Sequence, residues 1–147
     1  MCDMAEITSP PLSEQLCFDL YAASRAVTNA YRPALAELGL TYPQYLVLIV
    51  LWDEGTSSVG TIADSLRLDH GTLTPLLQRM QDGGLVTRRR ATDDERVVEV
   101  SLTERGLDLR RHADRIQCDM KALLKLGDVE FTELQSILRR ITSNVSR

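Results

Sequence analysis

Val59-Gly60-Thr61-Ile62-Ala63-Asp64-Ser65-Leu66, followed by His70-Gly71-Thr72-Leu73-Thr74-Pro75-Leu76-Leu77-Gln78-Arg79-Met80, is the stretch whose reading decides the fold. Val59, Ile62, Ala63 and Leu66 fall at i, i+3, i+4 and i+7, and Leu73, Leu76, Leu77 and Met80 repeat that pattern, so each segment presents one apolar face as a helix. Ser57 and Ser58 stand before the first as caps. Only residues 67–71 separate the two helices, a connection short enough for a helix-turn-helix. Gly83-Gly84 stops the second.

Beyond the glycines the period changes from helical to two. Val98, Val100 and Leu102 alternate with Val97, Glu99 and Ser101, which predicts a half-buried strand. Residues 85–90 are its antiparallel partner and 91–95 the polar turn between them. Helix, helix, Gly-Gly, strand, basic turn, strand is the layout of a winged helix, in which the second helix enters a DNA major groove and the hairpin reaches phosphates or the minor groove. With its leucines packed inward, the second helix turns Gly71, Thr72, Thr74, Pro75, Gln78 and Arg79 outward. Hydroxyl, amide and guanidinium groups meet base edges and phosphates, and glycine permits close backbone approach. The wing adds Arg88, Arg89, Arg90 and Arg96. Asp93, Asp94 and Glu95 stand beside these arginines, with Asp94 placed to hold Arg96 by a charge-assisted pair. The same pattern also serves a solvated amphipathic helix or a protein-interaction module, so spacing alone leaves both open.

Upstream, Leu16, Leu20, Ala23, Val27 and Ala30 recur at helical spacing behind Leu12-Ser13, predicting a helix from about Glu14 that kinks or breaks at Pro33 and is ended by Gly39. Tyr45 to Trp52 is almost wholly apolar; periodicity alone allows a strand or a buried helix, and Pro43 in the first turn favours helix. Downstream, Thr103 and Glu104 start a helix with Leu109, Ala113, Ile116, Met120 and Leu123 on one side. Gly127 interrupts it, and Leu134, Ile137, Leu138, Ile141 and Val145 line a last amphipathic helix. The fold class is therefore mainly α with a small β-hairpin wing.

The chain has 147 residues, 44% of them apolar, with 17 Lys and Arg against 21 Asp and Glu. That is one globular domain. The longest apolar run, Leu46 to Trp52, is far short of the ~20 residues of a membrane span, and the first residues lack the charge order of a signal peptide, so a cytoplasmic site is the default expectation. A net charge of -4 argues, taken as an average, against nucleic acid, because phosphate neutralisation is the main source of affinity there. The clustering of arginines at the wing is the counter-argument. Two histidines without nearby carboxylate pairs make a metal site improbable, and the absence of GxSxG, P-loop and GxGxxG runs leaves hydrolase and nucleotide readings without support. No cofactor is expected. His112 reads as solvated.

Cys17, Tyr21, Ser24, Thr28 and Tyr31 recur at helical spacing and share one polar, thiol-bearing face beside the Leu16/Leu20/Val27 stripe. Phenol groups can donate to a thiolate and stabilise it; a lone cysteine on a helix is also commonly a small buried apolar residue with tyrosines packed beside it. Cys2, Cys17 and Cys118 show no CxxC or metal-ligand spacing.

The runs Leu40-Thr41-Tyr42-Pro43-Gln44-Tyr45-Leu46-Val47-Leu48 and Gly71-Thr72-Leu73-Thr74-Pro75-Leu76-Leu77, with the wing Asp93-Asp94-Glu95-Arg96 and Ser101-Leu102-Thr103, closely resemble the MarR family and, within it, the organic hydroperoxide resistance regulators. The resemblance runs in matched motifs from about Leu16 to about Gly106. It implies a homodimeric repressor, not an enzyme, that binds an inverted-repeat operator in double-stranded DNA when reduced and releases it when a first-helix cysteine is oxidised by an organic hydroperoxide. It puts the dimerisation helices at 12–40 and 103–147, interlocked through residues such as Leu16, Leu20, Leu109, Ile116, Leu134, Ile137 and Ile141, and the DNA-binding part at 43–102. Cys17 matches the reactive cysteine, and Tyr21, Tyr31 and Tyr42 match the tyrosines around it, partly supplied by the partner subunit. Phe18, Leu46 and Trp52 offer an apolar lining suited to an organic peroxide. Asp69 and His70 stand at the start of the recognition helix, where the family more often has Ser at the His70 position. Cys118 lies in the region of a resolving thiol, although the expected position falls nearer Ala122; a mixed disulfide with a small thiol is the competing route. Two rival readings remain: a MarR-like regulator of a small aromatic ligand, and a thiol peroxidase, which the lack of a cation on the Cys17 face disfavours.

Overall fold

The computed structural model describes residues 9–146; Cys2 lies outside them. The chain forms two compact units divided between Tyr45 and Leu46. In the first, a 3₁₀ turn at Leu12–Glu14 leads into helix α1 (Leu16–Glu37). Pro33, expected to kink or break α1, sits inside it without ending it. Proline removes one backbone donor and crowds the carbonyl four residues earlier, but this one stands about a turn from the C-terminus, between buried Tyr31 and Leu35, whose packing offsets one lost hydrogen bond. Helix α2 (Tyr42–Glu54) begins at a reciprocal cap: the Thr41 N–H donates to Gln44 Oε1 (3.0 Å) and the Gln44 N–H to Thr41 Oγ1 (3.4 Å). Pro43 falls in its first turn, where a missing N–H costs nothing.

In the second unit, Val47, Leu48, Leu51 and Trp52 from α2 are buried, as are Ile62 and Ala63 of α3 (Val59–Leu66) and Leu73, Leu76, Leu77 and Met80 of α4 (His70–Asp82). Each fully buried side chain of this size contributes about 1.5–3 kcal/mol relative to exposure. Ser58 caps α3 by accepting from the Thr61 N–H at 3.0 Å. The α3–α4 turn uses Arg67 in the left-handed region (φ 54°), closed by the Leu68 N–H on Ala63 O at 3.0 Å.

The wing carries one strand more than the sequence predicts. Strand β1 (Ser57–Ser58) pairs antiparallel with β3 (Val98–Leu102), which pairs in turn with β2 (Val86–Arg90), giving the order β1-β3-β2. Two serines that read as caps are thus also a strand edge, too short to show a period. After the wing, the single helix expected from Glu104 is instead α5 (Glu104–Asp108), a 3₁₀ segment (Leu109–His112) and α6 (Ala113–Leu124); nothing in the sequence announces that break. Ile116, expected at a dimer contact, is buried within its own chain, whereas Leu123, expected on the same inner side, is 61% exposed. Gly127 ends the interruption and caps α7 (Asp128–Val145), its N–H donating to Glu130 Oε2 at 2.9 Å. Among the described residues no single helix is long and apolar enough to cross a membrane.

Candidate nucleic-acid interface and thiol site

Helix α4 buries its leucines and Met80 and exposes Gly71, Thr72, Thr74, Pro75, Gln78 and Arg79, with His70 exposed at its first position. Asp69 is its N-cap: the Thr72 N–H donates to Oδ1 (2.8 Å) and the Thr72 hydroxyl to Oδ2 (3.0 Å). These bonds, the backbone one foremost, hold the Asp69 carboxyl below its ordinary value near 3.8. Both carboxylate oxygens are therefore spent on the helix's own first turn, and Thr72, its proton engaged, presents acceptor lone pairs outward.

A carboxylate held low contributes stability while it is ionised, and that contribution is lost as pH falls through its lowered value. Asn caps about as well as Asp without titrating. The thermal midpoint of wild type is therefore expected to exceed that of Asp69→Asn at neutral pH, and the gap to close as pH drops below about 4. A gap independent of pH in melts from pH 3 to 7 would remove the charged cap.

The wing arginines, equivalent in sequence, separate in space. Arg89 and Arg90 are exposed, and Arg88 is half-buried. Arg90 donates to the Glu95 carbonyl at 3.0 Å. At the tip, Asp94 accepts from Arg96 three times: from its backbone N–H and Nε at 3.1 Å each and from a terminal nitrogen at 3.4 Å. The Arg96 side chain is the main reason the Asp94 carboxyl is also held low. The Ala91 N–H on Val97 O (2.8 Å) and the Val97 N–H on Asp94 O (3.0 Å) close the loop.

The base of the wing is tied to the end of α4 by a set of bonds that periodicity does not reveal. The Thr103 hydroxyl donates to Gly84 O (2.6 Å), the Thr103 N–H to Leu85 O (3.1 Å) and Arg105 to Gly83 O (2.6 Å). The Gly106 N–H donates back to Thr103 Oγ1 at 3.1 Å, and the buried Trp52 indole N–H donates to Gly106 O at 2.9 Å. Trp52, expected beside the thiol, is thus engaged at the wing base. The Gly-Gly pair and the Thr103-x-x-Gly106 cap were the available signals.

In the first unit, Cys17 is exposed in the first turn of α1, where a helix has backbone N–H groups without intrahelical acceptors. Tyr21, one turn on, is exposed, and Arg25 lies over its ring at 5.5 Å from the centroid and donates to its oxygen at 3.3 Å. The expected absence of a cation from this face is therefore corrected: at 100° per residue Arg25 reads as lying to one side, but its long side chain folds back over the tyrosine. The Thr28 hydroxyl is turned to the Ser24 carbonyl at 2.8 Å.

At the other end of the unit, the Tyr31 ring is 4.9 Å from that of Tyr42 and 6.0 Å from that of Tyr45. Burial raises the phenol of Tyr31 above 10.0, helped by its two tyrosine neighbours, and burial alone raises that of Tyr42; both stay protonated donors. Tyr42 also lines a cavity of about 400 Å³ with Thr28, Arg32 and Leu40. Cys17 and Tyr31 lie fourteen residues apart on one helix, about 21 Å along its axis. One chain does not bring the thiol and these tyrosines together. Cys118 is exposed on α6.

The profile of the SarA/Rot transcriptional regulators matches residues 29–113. The organic hydroperoxide resistance transcriptional regulator of Bacillus subtilis (strain 168) is 46% identical over 127 residues, 86% of each chain. Among solved structures, reduced AbfR bound to DNA superposes with a TM-score of 0.77 at 31% identity, over 91% of this chain and 92% of that one. The disulfide-formed AbfR, a protein of Staphylococcus epidermidis, gives 0.66 at 35% identity over 88% and 91%. The matched family and the Bacillus subtilis relative are transcriptional regulators. The chain belongs to the SarA/Rot family of transcriptional regulators and is a MarR-like winged-helix protein.

Proposed function

We propose that this regulator is a homodimeric repressor that holds an inverted-repeat operator when reduced and releases it when Cys17 is oxidised by an organic hydroperoxide. The observation that carries the reading is the division of the thiol site within one chain: Cys17 stands exposed at one end of α1 and the protonated tyrosine pair at the other. A second chain lying along α1 supplies what the first lacks. Leu16, Phe18 and Tyr21 on α1 are 39–64% exposed, and so, in the other unit, are Leu134, Ile137 and Leu138 on α7 at 39–44%; apolar side chains left open on a helix are of the kind a monomer covers with a partner. Dimerisation thus falls to 12–40 and 103–147, and DNA reading to 43–102.

In this reading the Cys17 sulfur attacks one peroxide oxygen. The S–O bond forms, the O–O bond breaks, and the alcohol leaves with a proton donated by a neighbouring phenol. The resulting sulfenic acid condenses with a second thiol to a disulfide and water. That thiol is Cys118 or a small cellular thiol. The oxidised dimer then favours a state whose wings no longer match the operator, and the shift available is the difference in stability between the two states.

The test is a gel shift on a duplex selected by the reduced protein from a random pool, with and without cumene hydroperoxide, for wild type and Cys17→Ser. Release of wild type alone is expected. Failure to release it, or equal release of the Ser variant, removes the sensing assignment. Continuous consumption of peroxide with a thiol reductant would make the protein a peroxidase instead.

A further inference from the structure

We infer that Arg88 is a positioning residue that fixes the wing against the recognition helix, and that Gln78 is spent on holding it rather than on reading a base. The inference rests on the DNA-reading assignment above. Along β2, Val86 is buried, Arg88 half-buried, and Thr87, Arg89 and Arg90 exposed. Arg88 lies opposite Val100 of β3, which is fully buried. On α4, Gln78 and Gln81 are three residues apart and so neighbours on one flank. The Arg88 Nε–H donates to Gln81 Oε1 at 3.1 Å and a terminal N–H donates to Gln78 Oε1. The other end of the Gln78 amide donates to Asp82 Oδ1 at 2.9 Å.

Three consequences follow from this arrangement. A glutamine reads adenine with both ends of its amide, and both ends of Gln78 are engaged within the protein. The guanidinium meets two acceptors at once with a planar fork, which an ammonium does not reproduce. The contacts also close a short loop over Gly83-Gly84, so the pair linking α4 to the wing is spanned by side chains as well as by backbone. Outward reading from this region then falls to exposed Thr74, Arg79 and Arg89, with Arg90 and Arg96 offering the guanidinium hydrogens left over from Glu95 and Asp94.

The experiment measures binding of wild type, Gln78→Leu, Arg88→Met, the double variant and Arg88→Lys to a duplex selected by wild type from a random pool, across a salt series and a set of single-base changes. Each single variant is expected to bind about tenfold more weakly, and the double no more weakly than either single, because one shared structure is lost once. The slope of affinity against salt and the base preferences should match wild type, and Arg88→Lys should bind no better than Arg88→Met. A salt slope reduced by about one per arginine removed, with rescue by Lys, would make Arg88 a phosphate contact. Relaxed preference at one base pair in Gln78→Leu, or losses that multiply in the double variant, would likewise overturn the inference. If Arg88→Met does not fold, Gln78→Leu against Gln81→Leu carries the same comparison with Arg88 present: equal losses without altered base preference support the clamp, unequal ones remove it. Additive losses with a tightly binding wild type defeat this inference alone; a wild type that does not prefer the selected duplex over random-sequence DNA defeats the DNA-reading assignment with it.

Discussion

A dimer assembled from one Cys17→Ser chain and one chain carrying Tyr31→Phe and Tyr42→Phe is expected to release DNA on peroxide treatment, although neither parental homodimer responds at wild-type rate. The expectation follows from α1 alone. With about 21 Å of helix between Cys17 and Tyr31, the proposed site that holds both draws on two chains. In the mixed dimer the intact thiol of the tyrosine-variant chain meets the intact tyrosines of the serine-variant chain, and one whole site survives. If the site lay within one chain, the mixed dimer would contain none. The measurement uses two different affinity tags, sequential purification and the oxidation rate followed by anisotropy of labelled DNA. Activity near half the wild-type rate supports the divided site, and a mixed dimer as inert as its parents sinks it.

Gly106→Ala is expected to cost more stability than the same change at any other glycine of the second compact unit. A Cβ at Gly106 would lie 2.2 Å from the Leu85 carbonyl oxygen and 3.2 Å from Leu102 Cδ2. The first of these is backbone, itself accepting from the Thr103 N–H, so it has no rotamer by which to withdraw. Overpacking of this kind costs about 3 kcal/mol or more, against a total stability of about 5–15 kcal/mol for a domain. The thermal midpoint should fall by roughly 10 °C. A midpoint within about 2 °C of wild type in a calorimetric scan would show that the wing base is loose enough to absorb the methyl group.

The helical core and the wing base differ in how far the sequence reveals them. The helices that build the core are legible because burial is periodic: Leu73, Leu76, Leu77 and Met80 lie on one face at helical spacing, and all four are buried. Strand β1 is not legible, because two residues have no period and their serines already serve as caps. Asp94 with Arg96 is legible because the partners are two residues apart, whereas Thr103 on Gly84 and Trp52 on Gly106 span nineteen and fifty-four residues. Side-chain pairing at that separation is decided by how the elements stack, which spacing does not encode. The same limit made four wing arginines look alike, although strand alternation turns Arg88 toward Gln78 and Gln81 and leaves Arg89 exposed. On α1, spacing gathers Cys17, Tyr21 and Tyr31 on one face but says nothing of their distance along the axis, which the proposed two-chain site is meant to bridge.

Trp52 is the one tryptophan in the sequence, and its indole N–H is bonded to the Gly106 carbonyl at the wing base. The protein therefore carries its own optical gauge at one of the bonds that anchor the wing base. An indole in a dry, hydrogen-bonded setting emits at shorter wavelength than one reached by water. Trp52 emission, read on the unlabelled chain, is expected to time any opening of the wing base separately from the loss of DNA.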